Sequence, residues 1–113
     1  MAQYLIFVLR PTGYDHAKSL DDSARRDIDA LNDEMEAAGI RIFVGGLRPV
    51  CDARILHMQH EGSISINAAH FSSDNNYIDG LWIIKCENMN DALNWGRKAS
   101  LACRSSTEVR PFY

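Results

Sequence analysis

The sequence predicts a single α+β domain, and its hydrophobic pattern carries this prediction. Residues 4–9 and 80–86 are apolar and rich in β-formers, as in strands that are covered on both faces. Two further segments repeat apolar residues at steps of three or four, which is typical of amphipathic helices. The 113 residues fit one domain spanning 1–113, and the sequence contains no linker, repeat or low-complexity segment.

The first two predicted elements are a strand and a helix. The strand covers residues 4–9 and ends at the turn residues Pro11 and Gly13. Ser19 is expected to cap the helix, because its hydroxyl can accept a hydrogen bond from an early backbone N–H. Gly39 is a natural stop for this helix. The predicted buried stripe consists of Leu20, Ala24, Ile28, Leu31, Met35 and Ala38.

The middle of the chain predicts a strand followed by a β-hairpin. Apolar residues alternate over residues 40–44, and the two glycines that follow weaken the end of this strand. Segments 53–58 and 63–66 flank a turn at residues 60–62, which predicts the hairpin. A polar loop over residues 72–76 comes next.

The last third predicts a strand, a helix and a short final strand. Asn88 follows the strand at residues 80–86 and is expected to cap the helix. A glycine inside a helix costs about 1 kcal/mol relative to alanine, so Gly96 indicates a close approach to the sheet. Val109 and Phe112 belong to the last strand. The inward residues of the helix are expected to be Ala92, Leu93, Gly96, Ala99 and Cys103.

The order of these elements predicts the architecture. Without the hairpin, the order is that of the ferredoxin-like split βαβ arrangement. Two helices can cover only one face of such a sheet, and a domain of this size buries a modest fraction of its surface. A second copy of the chain is the simplest cover for the other face. We therefore expect a homodimer of the dimeric α+β barrel type.

Composition excludes several classes of partner. The net charge is −3 and no basic stripe is present, so no nucleic acid partner is expected. The apolar run at residues 5–9 is too short for a membrane span or a signal sequence, so we expect a cytoplasmic protein without a membrane partner. Cys51, Cys86 and Cys103 are odd in number and form no CxxC motif, which favours small buried side chains over disulfides.

The motifs predict neither a metal nor a cofactor. His57 and His60 resemble a metal-binding pair, but they lie at a strand end and in a turn, where their side chains diverge. Glu61 is the one acidic residue placed to complete the ligand set. The sequence also lacks a phosphate loop, a nucleophile elbow and a dinucleotide fingerprint.

Four short segments occur in the order and spacing of a known family. They are Gly46-Leu47-Arg48-Pro49, Gly80-Leu81-Trp82-Ile83, Asp91-Ala92-Leu93-x-Trp95 and Glu108-Val109-Arg110-Pro111. In these segments the chain resembles the YCII-related proteins, specifically the branch known as the DGPF family. The resemblance implies the ferredoxin-like fold and a dimer. It implies no particular reaction, because the family as a whole has no settled one.

The name-giving signature of that branch is degenerate in this chain. Ala68-Ala69-His70-Phe71 stands where the family has Asp-Gly-Pro-Phe, so only Phe71 is retained. The resemblance implies that the Asp is the polar centre of the family. Ala68 can act neither as a base nor as a hydrogen-bonding group. Either this chain has lost the ancestral chemistry, or His70 has replaced it.

His70 is the main candidate for a catalytic residue. An imidazole titrates near neutral pH and can therefore give or take a proton. Asp74 lies four residues further on, where a carboxylate would orient the ring and favour its charged form. His16, in the loop after the first strand, is the second candidate. The alternative for His70 is a solvent-exposed loop histidine without a catalytic role.

Three residues are candidates for binding a substrate. Arg10, at the end of the first strand, is expected to reach the mouth of a helix-free cavity and to clamp a carboxylate through two hydrogen bonds. The alternative for Arg10 is an ordinary surface ion pair. Phe71 is expected to wall the pocket. Trp82 is expected either to line an apolar pocket or to lie in a dimer core.

Two functions from different classes remain open. The first is a small cofactor-free enzyme that acts on an unknown small, partly apolar molecule by histidine acid–base chemistry. Isomerisation, dehydration or lactone chemistry would suit such a site. The second is a non-catalytic small-molecule-binding or regulatory module that kept the scaffold and lost the signature Asp.

Overall fold

The computed structural model describes residues 1–11, 21–68 and 76–113. One turn of 3₁₀ helix at Val50–Asp52 precedes the hairpin. The remaining elements, in chain order, are β1 (Ala2–Pro11), α1 (Asp22–Ala37), β2 (Arg41–Gly46), β3 (Arg54–Met58), β4 (Ile64–Ala68), β5 (Asn76–Cys86), α2 (Met89–Cys103) and β6 (Ser106–Pro111).

Across the described ranges, the strands form one four-stranded sheet and one separate hairpin. The sheet has the order β2-β5-β1-β6, and each neighbouring pair is antiparallel. Strands β3 and β4 pair with each other, which confirms the predicted hairpin. The α+β class is confirmed, and the strand order is compatible with a ferredoxin-like fold.

Both helices pack on the same face of the sheet. Side chains alternate along β1, so Tyr4, Ile6 and Val8 are buried under the helices while the residues between them are half-exposed on the opposite face. Ile6 and Ile84 from the sheet and Met35 from α1 are fully buried at the centre of this core. The opposite face, which we call the open sheet face, carries Leu5, Phe7, Phe43, Leu81 and Ile83.

The helix boundaries follow from their capping residues. Asp21 caps α1 by accepting a hydrogen bond from the Ala24 backbone N–H at 2.8 Å, so the prediction that Ser19 caps this helix is wrong. The prediction for Asn88 is confirmed, because its side chain accepts from the Asp91 N–H at 2.9 Å. Gly39 follows α1 with a φ of 70°, which favours glycine and confirms it as the helix stop.

The buried face of α2 agrees with the prediction except at Leu93 and Ala102. Leu93 is 38% exposed, so its placement inside is wrong, and Ala102 is buried in addition to the predicted residues. Gly96 is confirmed as a point of close approach. A Cβ atom at this position would lie 2.7 Å from Cγ2 of Val109 on β6. Only glycine therefore lets α2 pack this tightly against the sheet.

Candidate functional site

The largest group of predicted site residues falls outside the described residues. His16 lies in the range 12–20, and His70, Phe71 and Asp74 lie in the range 69–75. Their predicted roles therefore have no structural description. Arg10 and Trp82 are described, and both line one cavity.

This cavity of about 280 Å³ lies on the helix-covered side of the sheet. It is bounded by the C-terminal ends of β1 and β2, by the middle of β5, by α1 and by the last residue of α2. Its volume is close to the lower end of the roughly 300–1,000 Å³ that is usual for small-molecule sites. We call it the Arg10–Asp79 pocket. Its side chains include Val8, Arg10, Ile28, Asp79, Trp82 and Cys103.

The pocket is open because glycines form one of its walls. Gly46 pairs with Gly80 at the end of the β2–β5 ladder, and both line the pocket. A Cβ atom at Gly80 would lie 3.1 Å from the Gly45 carbonyl oxygen, so the two strands approach closely there. Among the described residues, no other atom lies within 4 Å of the place that a Cβ atom at Gly46 would occupy. This part of the structure therefore leaves room beside Gly46 for a ligand or for a larger side chain.

The polar centre of the pocket is an ion pair. Arg10 Nε donates to Asp79 Oδ2 at 3.0 Å, and Arg10 and Asp79 are only 2% and 7% exposed. Arg10 Nη1 also donates to the backbone carbonyl of Cys103 at 2.7 Å. Because Cys103 is the last residue of α2, this bond satisfies a carbonyl at the negative end of the helix dipole. The guanidinium thus lies between a carboxylate and a helix C-terminus.

A β-bulge brings Asp79 to this face of the sheet. Val8 of β1 pairs with Gly80 of β5, but the next residue, Leu9, pairs with Ile78. Asp79 is the extra residue that the β1–β5 register passes over. Strict alternation from Trp82 would place Asp79 on the opposite face. The bulge turns its side chain towards Arg10 instead, as bulges near functional sites often do.

Arg10 lies on the helix-covered side of the sheet, whereas the sequence predicts it at the mouth of a helix-free cavity. Its burial continues the alternation of the β1 residues that face the helices, and its guanidinium is held by two partners within the fold. The surface ion pair considered as its alternative is also not what the structure shows, because both members of the pair are buried. Since Nε and Nη1 are engaged in the fold, Arg10 cannot present that edge to a ligand carboxylate.

Trp82 belongs to the wall of the pocket on the helix side. It is 3% exposed, and its Nε1 donates to Oδ1 of Asn32 on α1 at 2.8 Å. This bond satisfies the indole N–H and fixes the ring against α1. Trp82 therefore lines the Arg10–Asp79 pocket, and its predicted role in binding a substrate stays a prediction. This position does not place Trp82 on the open sheet face, where a second copy would contact it.

Cys103 lines the pocket, and its thiol is protonated at neutral pH. Burial is the largest influence, and it raises the pKa of Cys103 to about 11. The nearby Arg10 guanidinium lowers this pKa, while the Asp79 carboxylate raises it. The thiol is therefore protonated at neutral pH and is not an activated nucleophile.

Sequence reasoning did not identify Asp79 as a site residue. The predicted strand began at residue 80, whereas β5 begins at Asn76 and carries Asp79 inside it. An acidic residue next to a glycine within an apolar strand is a recognisable signal for a bulge. That signal is present in the sequence at Asp79 and Gly80.

The described residues also bear on metal binding and on membrane insertion. His57 and His60 are both exposed. In the part of the chain that the structure describes, no group of three or more His, Cys, Asp or Glu residues is arranged to hold a metal ion. Neither of the described helices is long and apolar enough to cross a membrane.

Comparison with known proteins does not assign the chain to a family. No family model matches the sequence, and no curated protein matches it.

Proposed function

We propose that this chain is a small-molecule enzyme without a cofactor, and that its substrate site is the Arg10–Asp79 pocket. The substrate would be small and partly apolar. The observation that carries the proposal is a buried ion pair facing an otherwise largely apolar cavity. Clefts that combine apolar walls with a few convergent polar groups are the usual form of ligand sites.

The energetics of the ion pair support a role beyond stability. Taking two charges out of water costs several kcal/mol per ion, and the attraction between them offsets this cost only in part. Apolar residues of similar volume would often stabilise a domain as well or better. The pair at Arg10 and Asp79 is therefore better explained by recognition than by stability alone.

The acid–base groups of this proposed enzyme are the residues predicted from the sequence. His70, with Asp74 to orient it, is proposed as the proton donor or acceptor, and His16 is the second candidate. Phe71 is proposed to wall the same site. His16 follows β1 in the chain, and β1 ends one residue after Arg10. The resemblance to the YCII-related proteins supports a shared scaffold for this chemistry, in a cytoplasmic setting.

One observation favours the second candidate, a non-catalytic binding module. Arg10 Nε and Nη1 are held by Asp79 and Cys103, and the Cys103 thiol is protonated. The described wall of the pocket thus offers recognition more readily than nucleophilic chemistry. Both candidates require a ligand in the same pocket, and turnover separates them.

A fragment screen by nuclear magnetic resonance tests whether the pocket binds small molecules. The indole N–H cross-peak of Trp82 is the reporter, and Trp95→Phe identifies it by removing the other indole signal. We expect a subset of small, partly apolar fragments to shift the Trp82 cross-peak saturably.

Two glycine variants control this screen. Gly46→Val places a side chain in the pocket, where its Cβ would meet no other atom of residues 1–11, 21–68 and 76–113 within 4 Å, and it should abolish the shifts. Gly45→Ala is the matched control, because its added Cβ would meet the exposed Phe43 ring rather than the pocket. Fragments that shift Trp82 equally in Gly46→Val, or a complete absence of saturable shifts, would contradict the proposal.

We also propose that the chain assembles as a homodimer of the dimeric barrel type through its open sheet face. Phe43 is 55% exposed there, and Leu5, Phe7, Leu81 and Ile83 are half-exposed. An apolar sheet face of this kind is a common site of protein association. This interface lies on the opposite side of the sheet from the Arg10–Asp79 pocket.

A further inference from the structure

The β3–β4 hairpin has one apolar face and one polar face. Two cross-strand pairs form the apolar face, which we call the hairpin patch: Leu56 with Ile66 and Met58 with Ile64. His57 and its partner Ser65 alternate with these residues and lie on the opposite face. Strands that carry apolar residues on one face and polar residues on the other are typically covered on the apolar face.

The described residues leave the hairpin patch uncovered. Its four residues are 57–81% exposed. Within residues 1–11, 21–68 and 76–113, β3 and β4 pair with each other and not with the four-stranded sheet. A single two-stranded hairpin is marginally stable in water unless it packs against another surface. An exposed apolar patch of several hundred Å² is typical of a site of protein association.

The shape of the chain agrees with a hairpin that stands away from the sheet. The Cα radius of gyration is 16.0 Å, whereas a compact domain of this length would have a radius of about 13 Å. The longest dimension is 48 Å, which exceeds the length of about 33 Å that the ten residues of β1 can span. A hairpin in this position can reach a second molecule.

Exposed apolar residues connect the open sheet face with the hairpin. Ile78 pairs with Leu9, and Leu9 alternates with buried neighbours along β1, so both residues lie on the open sheet face. Ile78 is 42% exposed, and it borders a groove of about 540 Å³ together with Leu47, which is 50% exposed. Leu47 follows β2 and begins the segment that leads to β3. The apolar surface is therefore continuous from the sheet towards the hairpin.

Two uncovered apolar surfaces on one chain favour a second copy as the partner. The open sheet face and the hairpin patch can cover each other between two copies, so one twofold dimer buries both. The contact then occurs twice, because each copy supplies one hairpin and one receiving face. Two hairpin patches of several hundred Å², with the surfaces that they cover, reach the roughly 1,200–2,000 Å² that specific interfaces bury.

We propose that the β3–β4 hairpin is a dimerisation arm whose hairpin patch lies against the open sheet face of a second copy of this chain. This inference rests on the homodimer proposed above and adds the arm to its interface. The polar face with His57 and Ser65 points away from the partner. The arm thereby gains the packing surface that a single hairpin needs.

Sedimentation of two charge variants tests the arm. Leu56→Glu places a carboxylate in the hairpin patch and should weaken dimerisation at least about tenfold, because burying an unpaired charge is costly. His57→Glu is the matched control, because it adds a carboxylate at the next position of β3 on the polar face. Its dimer dissociation constant should stay within about threefold of the wild-type value. Equal dimerisation of Leu56→Glu and His57→Glu would overturn the proposal.

An intermolecular measurement tests the contact without changing the hairpin patch. A nitroxide is attached to His57→Cys in a chain that also carries Cys51→Ala, because Cys51 is the exposed cysteine. This chain is mixed with a ¹⁵N-labelled chain that has no nitroxide. In the mixed dimer, the nitroxide should broaden the amide signals of Phe7 and Leu81 of the labelled chain. A labelled chain whose open sheet face shows no broadening would overturn the proposal.

The Phe43→Glu variant separates the arm from the homodimer itself. If Phe43→Glu dissociates the dimer and Leu56→Glu does not, the homodimer through the open sheet face stands and the arm is overturned. If the wild-type chain is a monomer at micromolar concentration, both are overturned. In that case the hairpin patch is covered within its own chain or by a different protein.

Discussion

Arg10 and Asp79 are 69 positions apart in the chain, yet Nε of one and Oδ2 of the other lie 3.0 Å apart in the interior. The contact requires the bulge in β5, because regular alternation would place Asp79 on the other face of the sheet.

The first prediction concerns the energetics of the pair itself. Arg10→Met and Asp79→Leu should each lower the free energy of unfolding by about 3–5 kcal/mol, because each removes one member of a buried ion pair. The double variant should recover most of this loss, since two apolar side chains replace both charges. Denaturant unfolding of the four proteins measures the coupling.

A matched surface pair provides the control for this cycle. Arg48 Nε and Asp52 Oδ2 also lie 3.0 Å apart, but their side chains are 86% and 44% exposed. Arg48→Met should therefore change stability by less than about 1 kcal/mol. Equal losses at Arg10 and Arg48 would show that burial does not determine the energetics of these pairs.

The second prediction concerns the contact between α2 and β6. Gly96→Ala should destabilise the chain by about 1–3 kcal/mol, because its Cβ would lie 2.7 Å from Val109 Cγ2. This cost outweighs the gain of about 1 kcal/mol expected from alanine in a helix. Thermal or denaturant unfolding measures the change. Combining Gly96→Ala with Val109→Ala removes the opposing methyl group and should make the glycine substitution less costly than it is in the wild-type background.

The third prediction follows from the raised pKa of Cys103. Its pKa in the folded chain is about 11, above the ordinary 9.0, so the unfolded chain loses this proton at lower pH. The resulting stabilisation is complete below pH 9 and disappears as the pH rises through about 11. Over this window, Cys103→Ala should lose less stability than the wild type, as measured by denaturant unfolding.

An exposed cysteine is the comparison for this measurement. Cys51 is exposed, so Cys51→Ala should keep the wild-type dependence of stability on pH. Burial also raises the pKa of Cys86, which contributes in the same direction in all three proteins. The account of Cys103 would be wrong if Cys103→Ala and the wild type lost stability in parallel.

The fourth prediction tests the proposed dimer. Sedimentation of the wild-type chain should show a dimer at micromolar concentration, and Phe43→Glu should shift it to monomer by placing a charge on the open sheet face. Leu101→Glu is the matched control on α2, where Leu101 is 75% exposed on the other side of the molecule, and it should remain dimeric. A wild-type monomer, or a dimer unaffected by Phe43→Glu, would contradict the proposed interface.

Local signals in the sequence predicted most of the fold. The turn at Gly62, the stop at Gly39 and the cap at Asn88 are all observed, because each depends on chemistry within a few residues. The sequence favours Ser19 as the cap of α1, but Asp21 fills this role. Aspartate and serine are both strong capping residues, so spacing alone could not separate them.

The pocket was harder to predict because it depends on long-range register. The position of Arg10 at the end of β1 was predicted, but its partner and the face it occupies were not. The partner follows from one extra residue in β5, which reverses the side of the sheet that Asp79 faces. The face of Arg10 continues the alternation of Tyr4, Ile6 and Val8 along β1. Periodicity assigns faces only where the alternation is unbroken. The adjacent acidic residue and glycine were the available signal.

The central claim is that the Arg10–Asp79 pair makes this pocket a recognition site. The most direct test is the affinity of the double variant, Arg10→Met with Asp79→Leu, for the fragments that bind the wild type. The apolar walls and the glycine opening are kept in this variant, and only the polar centre is removed. We predict that it folds with nearly wild-type stability and that the fragments that bind the wild type no longer bind it. Unchanged affinity in the folded double variant would show that the pair serves the fold alone.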